Sequence, residues 1–162
     1  MLEITYFDSP IGLLEIKGSE LGIRSVKRKE RREKYPEARE KILLEGVEQL
    51  KAYFKRERRV FDLPLDWGGR SAFYQLVWSE LLKVPYGHTT SYSAIANAIG
   101  QPAAVRAVGM ANRNNPIAII VPCHRVIAKT GHLQGYFYGL DVKRQLLELE
   151  NPMSFARQET LF

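Results

Sequence analysis

Cysteine and histidine are the scarcest functional residues in this chain. With only Cys123, no disulfide can form within it, and a zinc cage would have to combine Cys123 with His88, His124 and His132, whose spacing matches no zinc pattern. No zinc cage is therefore expected. Long apolar runs are also missing: nothing approaches the roughly 18 to 20 residues of a membrane span. The opening Met1-Leu2-Glu3-Ile4-Thr5 has neither the basic start nor the apolar stretch of an export signal. A cytoplasmic protein with no membrane partner is the expectation. Internal repeats and low-complexity tracts are absent as well. Acid is thin in the second part of the chain: residues 1–66 hold 15 basic and 13 acidic side chains, and the remainder hold 9 and 5. The formal charge of +6 over 162 residues suits a polyanionic partner without requiring one.

What is present divides into two small units. Short strands are expected over Leu2–Phe7, Leu13–Ile16 and Leu21–Val26, separated by Ser9-Pro10-Ile11-Gly12 and Gly18-Ser19-Glu20 turns. A charged linker from Lys27 to Pro36 leads into a helix over about 37–56, with Leu43, Val47, Leu50 and Phe54 on one face. The extended piece Val60–Leu65 and Trp67-Gly68-Gly69 read as the join. The expected limits are 1–66 for the first domain, 67–150 for the second and 151–162 for a tail. The second begins with a helix over Ser71–Lys83. Ser91 then suits the N-cap of a short helix ending at Ile99, Gly100 its C-cap, and Pro102 the start of another helix over about 103–112. Helix, tight turn, helix is compatible both with DNA binding and with an ordinary packed hairpin. The second helix is rich in small residues, with Arg106 among them.

After Asn114-Asn115-Pro116, the apolar run Ile117–Val121 is expected to be a buried strand or its equivalent. It delivers Pro122-Cys123-His124-Arg125-Val126. Pro122 removes a backbone donor and limits the conformations at the thiol. A free thiol is mostly protonated at neutral pH, and a basic partner supplies the attacking thiolate; His124 is adjacent. A carboxylate orienting the histidine could come from Glu148 or Glu150, on a last helix expected to begin at an Asp141 cap. A phosphatase loop fails because Lys129 occupies its arginine position, and neither common thiol-protease signature occurs.

The Pro122-Cys123-His124-Arg125-Val126 motif follows a helix-turn-helix, with Gly135-Tyr136 and Lys143 downstream. In this setting it resembles the O6-alkylguanine-DNA alkyltransferase family along nearly the whole chain. The resemblance implies an α+β protein: a small α/β ribonuclease H-like domain, then a mostly helical, winged-helix-like domain. It implies DNA repair by one-time transfer of the alkyl group of O6-alkylguanine, with O4-alkylthymine a second candidate substrate, from a flipped-out base in double-stranded DNA, with no cofactor and no metal. Cys123 is then the acceptor, His124 its base through a water, Glu150 the carboxylate orienting His124, and Asn115 the brace of the active-site turn. Tyr92 serves the base and the departing guanine. Arg106 fills the space of the flipped base, Ala107 and Gly109 permit close approach to the minor groove, and Arg113 and Lys129 are phosphate contacts.

Tyr92, Val126, Tyr136, Phe137 and Tyr138 are expected to border the alkyl pocket. The two aromatics after Tyr136 replace the small residues of many relatives, which implies a preference for methyl over benzyl adducts. The ending Gln158-Glu159-Thr160-Leu161-Phe162 resembles peptides that dock on a sliding clamp through Gln158, Leu161 and Phe162, although a tail packed on its own domain explains it equally. The protein is expected to be a monomer. The competing function is a helix-turn-helix damage-recognition or regulatory protein that binds DNA without chemistry.

Overall fold

Three antiparallel strands in the order β1-β2-β3 open the chain: β1 (Glu3–Ser9), β2 (Gly12–Ser19) and β3 (Gly22–Lys29). The structure, a computed structural model, describes residues 1–128 and 135–153. The hairpins are fastened by serines: Ser9 Oγ accepts Ile11 N–H at 3.2 Å, and Ser19 Oγ accepts Leu21 N–H at 3.1 Å. Glycine is required at the second hairpin, where a Cβ on Gly18 would meet the Gly22 carbonyl oxygen at 2.8 Å. β3 continues three residues past the expected end at Val26, because Lys27, Arg28 and Lys29 still find ladder partners in Glu15, Leu14 and Leu13. The backbone ladder outweighs their charge, which stays in solvent.

Helix α1 (Lys41–Phe54) carries Leu43, Val47, Leu50 and Tyr53 as a buried face beside this sheet. It starts four residues later than expected. The Glu3 carboxylate accepts the N–H groups of Arg39 and Glu40 at 2.7 and 2.8 Å, which holds this stretch extended until Glu40 caps the helix. The free edge of β3 is covered twice. Ile23 bridges Leu65, and Val26 bridges Ile117, both in parallel.

The run Ile117–Val121 is not the expected strand. After the Val26 bridge it folds into a three-residue turn closed by Ile120 N–H to Ala118 O at 2.9 Å, with Ile119 at φ 73°. A β-branched residue in this region is strained. Burial explains the apolar run, since all five residues are buried whatever their backbone.

The chain forms two compact units: 1–69 with 116–120, and 70–115 with 121 onward. In the second, α2 (Ala72–Leu81) is capped by Ser71 and buries Trp78, whose Nε1 donates to Ala111 O at 2.8 Å. Strand β4 (Thr90–Ser91) runs directly into α3 (Tyr92–Ala98), capped as expected by Ser91 Oγ accepting Ala94 N–H at 3.1 Å. Gly100 takes φ 75° at the turn, and α4 (Val105–Arg113) follows. A single 3₁₀ turn (Cys123–Arg125) precedes β5 (Val126–Ile127), which pairs in parallel with β4. The last helix, α5 (Leu140–Glu150), is not capped by Asp141. Gly139 at φ 95° ends the preceding turn, and Asp141 lies in the first helical turn, where its charge suits the helix dipole. No helix among the described residues is long and apolar enough to cross a membrane.

Candidate active site

Pro122, at φ −82° and ψ 62°, folds the chain into a tight turn closed by Cys123 N–H to Val121 O at 2.8 Å. The Asn115 amide nitrogen has two hydrogens and uses both, donating to Val121 O at 2.9 Å and to Cys123 Sγ at 3.1 Å. One side chain thus fixes the turn and the sulfur together. Burial pushes the Cys123 thiol up. The Asn115 amide and then the Lys143 ammonium pull it back by less. The resting group is a neutral thiol with partners placed for the anion.

Next to it lies a buried chain of charge. His124 Nε2 meets Glu150 Oε2 at 2.7 Å, and Arg125 grips the same carboxylate through Nε to Oε1 at 2.8 Å and Nη2 to Oε2 at 3.1 Å. Arg125 Nη1 also donates to Val84 O at 2.7 Å. Burial works to raise the Glu150 carboxyl. The His124 ring and the Arg125 guanidinium outweigh it and hold it well below the carboxylate range. Burial drives the His124 pKa down, against the pull of Glu150, so the ring is neutral near pH 7. Because Nε2 faces a carboxylate, its proton sits there and the lone pair is on Nδ1. Nδ1 is buried with no hydrogen-bond partner among the described residues. A neutral ring in this arrangement can accept a proton at Nδ1.

Sequence reasoning names Lys143 beside the motif but gives it no role in the site. It is fully buried, donates from Nζ to Gly135 O at 3.1 Å, and is pulled by burial down to about 8, with the Cys123 charge acting the other way. A signal existed: 143, 146, 147 and 150 share one helical face, and Leu146, Leu147 and Glu150 are all buried. Arg125 stood in the motif without an assigned task.

The β4–β5 pairing sets Thr90 opposite Val126, which carries Tyr92 at the head of α3 toward the chain just after Cys123. Tyr92 is half-buried. A Cβ on Gly135 would come to 3.8 Å of its hydroxyl, and one on Gly109 to 3.9 Å of its ring. Burial and then the Cys123 charge raise its pKa, while the Asn112 amide lowers it. Tyr136 is raised well above its ordinary value by burial and then by the nearby thiolate charge. Tyr138 meets the Tyr136 ring edge-on at 5.8 Å, and Val126 is buried on β5.

Phe137 is not brought in with them: it is 64% exposed and touches Tyr138 edge-on. On α4, Arg106, Ala107 and Arg113 are exposed and Gly109 is half-buried, while Val108, Ala111 and Asn112 face inward. The expected phosphate contact Lys129 and the expected clamp residues Gln158, Leu161 and Phe162 lie outside the described residues.

Comparison with known proteins agrees in both halves. Residues 2–67 match the family model described as 6-O-methylguanine DNA methyltransferase, ribonuclease-like domain, and residues 72–152 match 6-O-methylguanine DNA methyltransferase, DNA binding domain. The methylated-DNA–protein-cysteine methyltransferase of Mycolicibacterium paratuberculosis is 46% identical over 162 residues, covering 96% of each chain. That of Methanosarcina acetivorans is 46% identical, over 89% of this chain and 95% of its own. Among solved structures, O6-methylguanine methyltransferase of Mycobacterium tuberculosis superposes with a TM-score of 0.83 at 45% identity over 94% of both chains. The complex of M. tuberculosis OGT with DNA gives 0.81 at 47% identity over 91% of both.

Proposed function

This chain belongs to the 6-O-methylguanine DNA methyltransferase family, and from that premise we propose that it repairs DNA by moving the alkyl group of O6-alkylguanine onto Cys123. The observation that carries the assignment is the Cys123 thiol held by Asn115 and followed directly in sequence by the buried His124–Glu150–Arg125 chain. An alkyl carbon on O6 is out of reach in a stacked duplex, so the nucleotide must first be rotated out. The exposed face of α4 suits that task. Arg106 takes the vacated space, and Ala107 and Gly109 let the helix approach. The helix begins without a side-chain cap, so its first N–H groups remain available to phosphate. Arg113 adds a phosphate contact.

With the base in the pocket, the thiol proton passes to His124 Nδ1, directly or through one water. Glu150, tied to Arg125, stabilises the imidazolium that forms. The Lys143 cation favours the thiolate. The sulfur lone pair then forms the S–C bond as the C–O6 bond breaks. Tyr92 gives a proton to the departing guanine and regains one from His124, so the thiol proton ends on guanine. A thioether has no easy hydrolytic exit, and each molecule therefore acts once.

Incubation with duplex DNA containing O6-methylguanine should raise the intact-protein mass by one methylene on Cys123. Binding without an adduct would instead favour a damage-recognition protein that does no chemistry. Tyr136 and Tyr138 narrow the wall of the pocket, so methyl should transfer faster than benzyl when the two compete, and the reverse order would overturn that preference. Docking of the tail on a sliding clamp is a separate proposal. Deleting 158–162 should abolish clamp binding and spare transfer, and unchanged binding would remove it.

A further inference from the structure

Two runs of nearly the same sequence have no task in the transfer step. Lys27-Arg28-Lys29-Glu30-Arg31-Arg32 stands where β3 ends, and Lys55-Arg56-Glu57-Arg58-Arg59 follows α1 directly. The fold of the first unit brings them together. Phe7, Leu14 and Arg28 are cross-strand neighbours, so their side chains share one face of the sheet. Phe54, the last residue of α1, meets the Phe7 ring at 6.4 Å. The helix therefore ends over the row that holds Arg28, which lies about 10 Å from Phe7 at two strand spacings. Asp8, next to Phe7, ties in the first run through its ion pair with Arg32 at 2.8 Å.

With Asp8, the two runs hold nine of the 24 basic and three of the 18 acidic side chains. The rest of the chain has fifteen of each, so the whole net charge of +6 sits at this end of the first unit. Of the nine cations, all but the half-buried Arg58 are exposed. Like charges gathered in this way repel one another and oppose folding. The negative end of α1 answers only roughly half an elementary charge of them. Arg56 adds backbone strain. It stands at φ 60° just past the helix, with its N–H bonded to Tyr53 O at 3.0 Å and Glu57 N–H bonded to Ala52 O at 2.9 Å. Glycine fits that closing position with less strain, and a cation occupies it instead.

We propose that this end of the first unit is a second surface for the phosphate backbone of double-stranded DNA, built from residues other than those of α4 and indifferent to sequence and to damage. The inference rests on the alkyl-transfer function proposed above, since DNA is the polyanion to which that function brings the protein. Contacts of this kind raise affinity for any duplex and hold a protein on DNA while it searches.

The test uses the full chain and an undamaged duplex. Replacing three exposed cations together, as Lys29→Gln, Arg31→Gln and Lys55→Gln, should reduce the slope of log K against log salt by about 2 to 3. Binding near about 0.1 M salt should weaken about tenfold or more, while reaction with free O6-methylguanine base stays within about twofold of the wild type. In the wild type, the duplex should protect Lys29 and Lys55 from acylation and leave Lys41, at the far end of α1, as reactive as before. An unchanged slope, or equal protection of all three lysines, overturns the proposal. So does a triple variant that keeps its duplex affinity and loses binding to phosphatidylglycerol vesicles, which would assign the surface to a membrane. The footprint is read on the wild type and decides the question even where the variant fails to fold. If no methyl reaches Cys123 from damaged duplex, it is the alkyl-transfer function that fails, and the footprint on undamaged duplex is read independently of it.

Discussion

The floor around Cys123 and the outer face of α4 follow opposite rules, although both belong to the second unit. On the floor, His124, Arg125, Lys143 and Glu150 are charged or titratable side chains buried almost completely, and burial together with neighbouring charge sets the states of His124, Lys143 and Glu150. On the outer face of α4, Arg106 and Arg113 stand in solvent among alanine, glycine and the exposed Met110. Buried groups act by fixing protonation and geometry, whereas exposed cations act through a field that salt screens. Substitutions on the two sides should therefore fail in different ways.

The sharpest separation is at the nucleophile. Cys123→Ala should abolish transfer completely while leaving duplex binding intact, as measured by adduct mass and by fluorescence anisotropy. Smaller in energy is the loss of the buried carboxylate. Glu150→Ala strands Arg125 and should cost roughly 3–5 kcal/mol of stability, seen as a fall in Tm of the order of 10 °C. Arg113→Ala should stay within about 0.5 kcal/mol. If the two variants melt alike, the buried network is not what holds the floor.

Arg106→Ala reverses the pattern. Transfer from duplex should drop roughly 10- to 100-fold, because flipping loses its substitute for the extruded base, while reaction with free O6-methylguanine base should be unchanged. Equal loss on both substrates would place Arg106 in the chemistry instead.

Lys143 offers a pH test. Its pKa of about 8 lies below the roughly 10.4 of an unfolded lysine. Between those values the unfolded chain holds the extra proton, so the wild type should gain stability relative to Lys143→Met as pH rises through about 8. The gain should be of the order of 3 kcal/mol once complete above about pH 10.4, with roughly 2 kcal/mol of it read from paired chemical denaturation at pH 7 and pH 9.5. No pH-dependent difference would mean that the amine is not buried as a cation. The smallest effect is expected at Arg113, where alanine should reduce the slope of log K against log salt by about 1.

The chemistry-bearing residues next to one another in the chain were legible in the sequence. Pro122-Cys123-His124, the Ser91 cap and the Gly100 turn are local patterns, and local physics fixes them. The partners of that chemistry come from far along the chain. Arg125 meets Glu150 and Val84, and no pattern in the sequence pairs a motif arginine with a helix end 25 residues on. Lys143 stands beside the motif without a role, because its residue type gives no sign of burial even though Leu146, Leu147 and Glu150 on the same helical face are buried. The apolar run before Cys123 identified burial, but a buried turn and a buried strand have the same composition.

The most direct test of the account is a titration with excess O6-methylguanine duplex, counting methyl groups transferred and locating them by peptide mass spectrometry. A plateau at one methyl per protein molecule, all of it on Cys123, is the expected result. Continued turnover beyond one, or methyl on any other residue, would contradict it.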